Sequence, residues 1–207
     1  MKKIVLLFLV LFFSAGVTFG QFSFGLKIGY NASKLHSSLD SIKSSFNSGL
    51  HFGAFFRFGK KVYLQPEAYY TLQGGIFQNN VTTTTNNWKQ KVTVGTLDIP
   101  VLVGFKIIDL KLINWRIMAG PMVSFVINSK VKDLTDSKLV GPVTTADIRK
   151  LNWYVQAGTG VDIAFFTLDV RYQVGLSQMI STAQGNGIPY SLNATNNMWV
   201  VSLGFKL

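Results

Sequence analysis

Residues 22–30 read FSFGLKIGY, and alternate positions carry opposite chemistry. Phe22, Phe24, Leu26, Ile28 and Tyr30 form one set, and Ser23, Gly25, Lys27 and Gly29 the other. Successive side chains of a strand point to opposite faces, so the stretch predicts a strand with one greasy face and one small, polar face. The polar face decides the setting. A solvated sheet face is rich in Lys, Glu and Thr, whereas this one holds glycines and a single charge. Small residues there suit a narrow, enclosed lumen, which leaves the apolar set to face outward.

The alternation returns in seven further segments: residues 50–58, 62–73, 97–106, 115–125, 153–163, 168–177 and 199–207. Each is roughly ten residues long, enough to carry a tilted strand across a bilayer. The links between segments are short at 59–61, 107–114 and 164–166. They are long at 31–47, 74–87, 128–150 and 178–197. Strict alternation of short and long links is how outer-membrane barrels arrange periplasmic turns and extracellular loops, and it puts both termini in the periplasm. Only helices and closed barrels satisfy every backbone N–H and C=O in lipid. The expected fold is therefore all-β, an eight-stranded antiparallel up-and-down transmembrane β-barrel over residues 21–207.

Two further patterns bear on this reading. Aromatic residues fall near segment ends, with Tyr30, Tyr70, Trp153 and Trp199 on the outer side and Phe58, Tyr63, Trp115 and Phe205 on the inner side, as interfacial girdles require. Pro66, Pro100 and Pro121 sit mid-segment, where each removes a ladder hydrogen bond, so β-bulges are expected there.

The first twenty residues stand apart. Lys2 and Lys3 precede an unbroken apolar run at 4–13, too short to span a bilayer as a helix. Thr18 and Gly20 are small residues at the minus-three and minus-one positions before Gln21. Residues 1–20 read as a secretory signal peptide cleaved after Gly20. Removing Lys2 and Lys3 lowers the formal charge from +11 to +9. Export and the scatter of the charges argue against a nucleic-acid partner. Charged residues make up 14% of the chain, well below the roughly 25% of soluble domains. The absence of cysteine excludes disulfides, thiolate metal sites and a Cys nucleophile.

Several stretches in order carry a resemblance. Residues 25–35 (GLKIGYNASKL), 63–75 (YLQPEAYYTLQGG), 97–107 (LDIPVLVGFKI), 119–125 (AGPMVSF) and 158–179 (GTGVDIAFFTLDVRYQVGLSQM) together resemble the small outer-membrane β-barrel proteins of Bacteroidetes, called porin-like or PorT-like. The resemblance implies an eight-strand barrel in the outer membrane without catalytic residues. The secretion and gliding role associated with PorT itself is not encoded in these barrel motifs.

The inward positions hold the candidate site. Acids are Glu67, Asp98, Asp162 and Asp169; bases are Lys27, Arg57, Lys106, Arg116, Arg171 and Lys206. In a narrow lumen they must pair, because an unpaired buried charge costs several kcal/mol. A salt-bridged, non-conducting interior follows, with a polar substrate path between the same residues as the alternative. His51 lies on a segment adjacent to Glu67, and Ser23, Ser124 and Ser177 also point inward. A hydrolase would need such an acid–base pair with a nucleophile. A satisfied lumen histidine is the preferred reading. His36 stands alone in the first long link, and two distant histidines without cysteine make no metal site. No cofactor is expected.

The long links are polar. Residues 79–87 read NNVTTTTNN, and the third link carries Lys130, Lys132, Asp133, Asp136, Lys138, Asp147, Arg149 and Lys150, whose basic members could touch lipopolysaccharide phosphates. The alternating apolar end, Trp199, Val201, Leu203, Phe205 and Leu207, is of the type that barrel-assembly machinery recognises, although the last residue is not aromatic. The leading function is a non-enzymatic barrel with a structural, adhesive or interaction role through its loops. A narrow porin or transport channel, a membrane-embedded hydrolase and a soluble lipocalin-type barrel are the alternatives.

Overall fold

Period-two patterning with β-branched and aromatic residues favours strands, and the computed structural model is built of strands throughout. It describes residues 22–36, 42–79, 89–110, 112–133, 148–177, 180–185 and 188–207. These form β1 (Phe22–His36), β2 (Ile42–Gly59), β3 (Val62–Asn79), β4 (Lys89–Asp109), β5 (Ile113–Asp133), β6 (Leu151–Ile163), β7 (Phe166–Gly175), β8 (Ile180–Gly185) and β9 (Ile188–Lys206). Each of β1 to β7 pairs antiparallel with its sequence neighbour, β7 pairs with β9, and β9 returns to β1. The closing seam runs from Gly25↔Lys206 to His36↔Thr195. Eight strands therefore close the barrel.

β8 is a ninth, short strand. It pairs only with the first part of β9, from Gly185↔Ile188 to Ile180↔Ala194. The sequence predicts a link over 178–197 here, without a strand of its own. The same correction applies at the other long links, because the strands run on past the expected segments. β4 and β5 each span 21 residues, and their pairing continues to Gln90↔Asp133. Eight residues of β4 beyond Leu97 add about 26 Å along the strand. His36, expected in a link, closes β1. The proposed signal peptide, most of the NNVTTTTNN stretch, and Asp136, Lys138 and Asp147 lie outside the described residues.

The facing is as expected. Leu26, Phe52 and Val170 are exposed on the perimeter, while Lys27 and Arg171 are 3% and 1% exposed. Burial alternates residue by residue along β6 and β7. Aromatic pairs tie neighbouring strands on the outside, including Phe24 with Phe56 at 5.0 Å and Tyr172 with Trp199 at 4.8 Å between ring centroids. Such cross-strand contacts each stabilise a sheet by about 0.2–1 kcal/mol. Trp115, also outward, donates its indole N–H to Thr159 Oγ1 at 2.8 Å, so the ring presents no unsatisfied polar atom to hydrocarbon.

Two expectations fail. No bulge forms at the prolines. Pairing across β2 and β3 passes from Phe55↔Glu67 to Phe58↔Leu64 in unchanged register around Pro66. Pairing across β4 and β5 passes from Pro100↔Met122 to Val103↔Ala119 in unchanged register around Pro100 and Pro121. The missing N–H is met by a local gap in the ladder, and the neighbouring strands hold the register. The shifts occur elsewhere, at Phe46/His51, Gly95/Thr96 and Lys106/Ile108. Tyr63 also leaves the girdle: it is buried in the lumen, where its ring lies 5.0 Å from the Arg57 guanidinium. Its position on the polar face of its own strand outweighs its place near the strand end.

The short turns are tight. Gly59, at φ 122°, opens the link from β2 to β3 in a conformation that only glycine adopts freely. Ala164 and Phe165 join β6 to β7, with Ala164 at φ 52°.

Candidate functional site

The barrel walls bring inward side chains from different strands within reach across a narrow lumen. Seven of them form a chain of alternating charge. Arg57 of β2 donates from Nη1 to Asp162 Oδ2 of β6 at 2.6 Å. Arg116 of β5 donates from Nε to Asp162 Oδ1 at 3.1 Å and from Nη2 to Asp169 Oδ1 of β7. Lys27 of β1 reaches Asp169 Oδ2 at 2.5 Å and Glu67 Oε1 of β3 at 2.8 Å. Arg171 of β7 donates from Nη1 to Glu67 Oε2 at 2.5 Å. The order is Arg57, Asp162, Arg116, Asp169, Lys27, Glu67, Arg171, and all are buried.

Neutral groups complete the set. Gln65 accepts from Arg57 Nε at 2.7 Å and donates to Glu67 at 2.6 Å. Thr167 accepts from Arg116. Phe55 lies 4.4 Å from Lys27 Nζ, in the geometry of a cation–π contact. Glycines make room: a Cβ on Gly160 would collide with Asp169 Oδ1 and the Arg116 guanidinium.

Three expected members stand outside this chain. Asp98 makes no ion pair among the described residues and accepts from Ser124 Oγ at 2.5 Å. Lys106 pairs with Asp109, which lies at the strand end, at 3.2 Å. Lys206 is only half-buried and approaches Asp162 at 3.6 Å.

The expected approach of His51 to Glu67 does not occur. In register His51 faces Thr71, while Glu67 faces Phe55. His51 Nε2 instead meets Ser202 Oγ of β9 at 2.9 Å. Both residues are buried, and His51 Nδ1 has no partner. Glu67, the acid expected beside the histidine, is engaged by Lys27, Gln65 and Arg171. Ser177 does not enter the lumen: it is half-buried beside the long links, where its Oγ accepts from Trp153 N. Ser23 is half-buried at the short-turn mouth. No group of His, Asp and Glu side chains arranged to hold a metal occurs among the described residues, nor does a helix long and apolar enough to cross a membrane, which says nothing of strands.

The sequence profile of the outer membrane protein β-barrel domain family matches residues 13–181. The chain belongs to this family. The match places the outer-membrane barrel protein in the bacterial outer membrane and agrees with the closed antiparallel fold. Among solved structures it is similar to the outer membrane protein OprG from Pseudomonas aeruginosa, at 11% identity and a TM-score of 0.56, covering 91% of this chain and 97% of that one. It is also similar to Ail, the attachment invasion locus protein of Yersinia pestis, at 12% identity and a TM-score of 0.48, covering 92% and 100%. No curated protein matches the chain.

Lumen packing in this outer-membrane barrel has a component that sequence reading missed. Leu102, Met118, Met122, Tyr154, Met198 and Val200 are all buried inside. All but Met198, which precedes the last expected segment, sit on the expected inward positions, where emphasis on glycine and charge hid them. Beside them a void of about 10 Å³ is bordered by His51, Thr71, Asp98 and Arg171, room for about one water molecule. Asn196 donates to Gln73 at 2.8 Å, and Gln73 to Thr96 at 3.1 Å, tying the strands further toward the long links.

Proposed function

We propose that this barrel is a sealed outer-membrane scaffold that acts through its long-link end, in a structural, adhesive or interaction role, without catalysis. The observation that carries the reading is the alternating ion chain crossing the lumen, backed by buried methionines, Leu102 and Tyr154. A permeating solute would have to part several charge-assisted bonds at once. In planar bilayers the purified protein is expected to give no stable single-channel steps, whereas large, long-lived open steps would refute the sealed lumen.

Membership of the PorT-like group of Bacteroidetes follows from the sequence resemblance and belongs to the same proposal. So does the orientation: the tight turns and both termini face the periplasm, and the extended ends of β4 and β5 rise outside. Exposed Lys130, Lys132 and Lys150 at that end then meet lipopolysaccharide phosphates, while the apolar perimeter meets lipid. Cleavage after Gly20 and insertion by the barrel-assembly machinery complete the route. N-terminal sequencing of the membrane-bound protein tests the first of these, and protease accessibility of tags placed in 80–87 and at the C-terminus of intact cells tests the topology.

A further inference from the structure

The ion chain does not balance. Three carboxylates, Asp162, Asp169 and Glu67, face Lys27, Arg57, Arg116 and Arg171, and Lys206 adds a fifth cation at Asp162. Asp162 alone is shared by Arg57, Arg116 and Lys206. The surplus positive charge therefore gathers at the short-turn end.

A cavity of about 500 Å³ opens at that same end. Arg57, Lys60, Lys106 and Lys206 line it, with Asp109 as the one carboxylate among its described lining residues. Asp109 is already engaged by Lys106. Arg57 contributes an unspent donor. It is 3% exposed, its Nε and Nη1 are taken by Gln65 and Asp162, and its Nη2 has no hydrogen-bond partner. The volume lies within the usual range for small-molecule sites, roughly 300–1,000 Å³.

We propose that this mouth binds a phosphate-class oxyanion, either free or as a phosphomonoester, with the Arg57 guanidinium at its inner wall and Lys206, Lys106 and Lys60 closing around it. The guanidinium fork supplies directional hydrogen bonds to such an oxyanion, and the lysines supply mobile point charges. An anion here offsets the cations that Asp162 cannot balance alone. The site is independent of the sealed-lumen proposal, because it lies at the mouth and no solute need pass beyond it.

The test is calorimetric titration of the folded full-length mature protein, in an uncharged detergent, with inorganic phosphate and separately with glycerol phosphate. Saturable one-site binding is expected, weakened at least tenfold in Lys106→Gln/Lys206→Gln and abolished in Arg57→Gln. Lys130→Gln, at the opposite end, should titrate like the parent. Heat-modifiable gel mobility checks that each variant is folded; should Arg57→Gln fail to fold, the lysine double variant decides alone. Tighter binding of glycerol phosphate assigns the esterified source, and tighter binding of inorganic phosphate the free ion; either ordering supports the site. No saturable phosphate binding, equal saturation by chloride, or a lysine double variant that titrates like the parent would overturn it.

Discussion

Replacing Asp169 by Asn tests the lumen chain at its centre. Asp169 accepts from Lys27 at 2.5 Å and from Arg116, and its side chain is fully buried. Asparagine keeps the shape and removes the charge. It also presents an amide N–H₂ toward one of two cationic donors. Glu67 and Asp162 would then be left against Lys27, Arg57, Arg116, Arg171 and Lys206. Removing one partner of a buried ion pair destabilises by about 3–5 kcal/mol. At about 1.4 kcal/mol per decade that is two to nearly four orders of magnitude in the folding equilibrium. The assay is urea unfolding of the barrel in detergent micelles or thin vesicles, followed by tryptophan fluorescence and heat-modifiable mobility. The midpoint should fall with an unchanged m-value, since the exposed surface is the same. Lys27→Met/Asp169→Leu, which removes a charge of each sign, should recover a good part of the loss. A cost below about 1 kcal/mol for Asp169→Asn would show that the chain is not what holds the interior, and would refute the reasoning.

Three other perturbations probe different parts of the structure. Ala164→Gly should raise stability by about 0.5–1 kcal/mol in the same unfolding assay, because the φ of 52° strains an L-residue; a lower midpoint would contradict the turn geometry. Gly104→Ala places a methyl group against the Tyr63 ring and should cost about 1–3 kcal/mol by overpacking, while in a Tyr63→Ala background the same change should be nearly neutral; additive costs in the double-mutant cycle would deny the contact. Deleting residues 202–207 removes the seam pairs from Gly25↔Lys206 to Gly29↔Ser202 and the β7 pairs from Phe166↔Phe205 to Asp169↔Ser202, so membrane-inserted, heat-modifiable protein should disappear; its persistence would mean that this strand is not needed for closure.

The barrel was legible because its lipid face and its lumen face differ at every other residue. Phe22, Leu26 and Ile28 against Gly25 and Lys27 fix the facing of β1, and a one-residue slip would invert it. Ends were less legible, since β4 and β5 continue beyond the lipid-facing band on polar residues such as Gln90, Thr93 and Lys130, where no greasy alternation marks the strand. The prolines misled because bulging is one response to a lost donor and a local gap in pairing is another. Sequence also named the inward charges without their partners. Cross-lumen distances depend on barrel closure and strand tilt, which bring Lys27 to Asp169 and keep His51 from Glu67. The His51–Ser202 contact, joining residues 151 positions apart, had no local signature.

The cross-barrel wiring bears on how such a chain can enter a bilayer. Lys27 is neutralised from β3 and β7, Arg57 from β6, and Arg171 from β3. The hairpin of β1 and β2 cannot discharge its own cations. Sent into hydrocarbon alone, it would carry Lys27 and Arg57 with no counter-charge. Stepwise hairpin insertion is thus the expensive route, and membrane entry and cylinder formation must advance together.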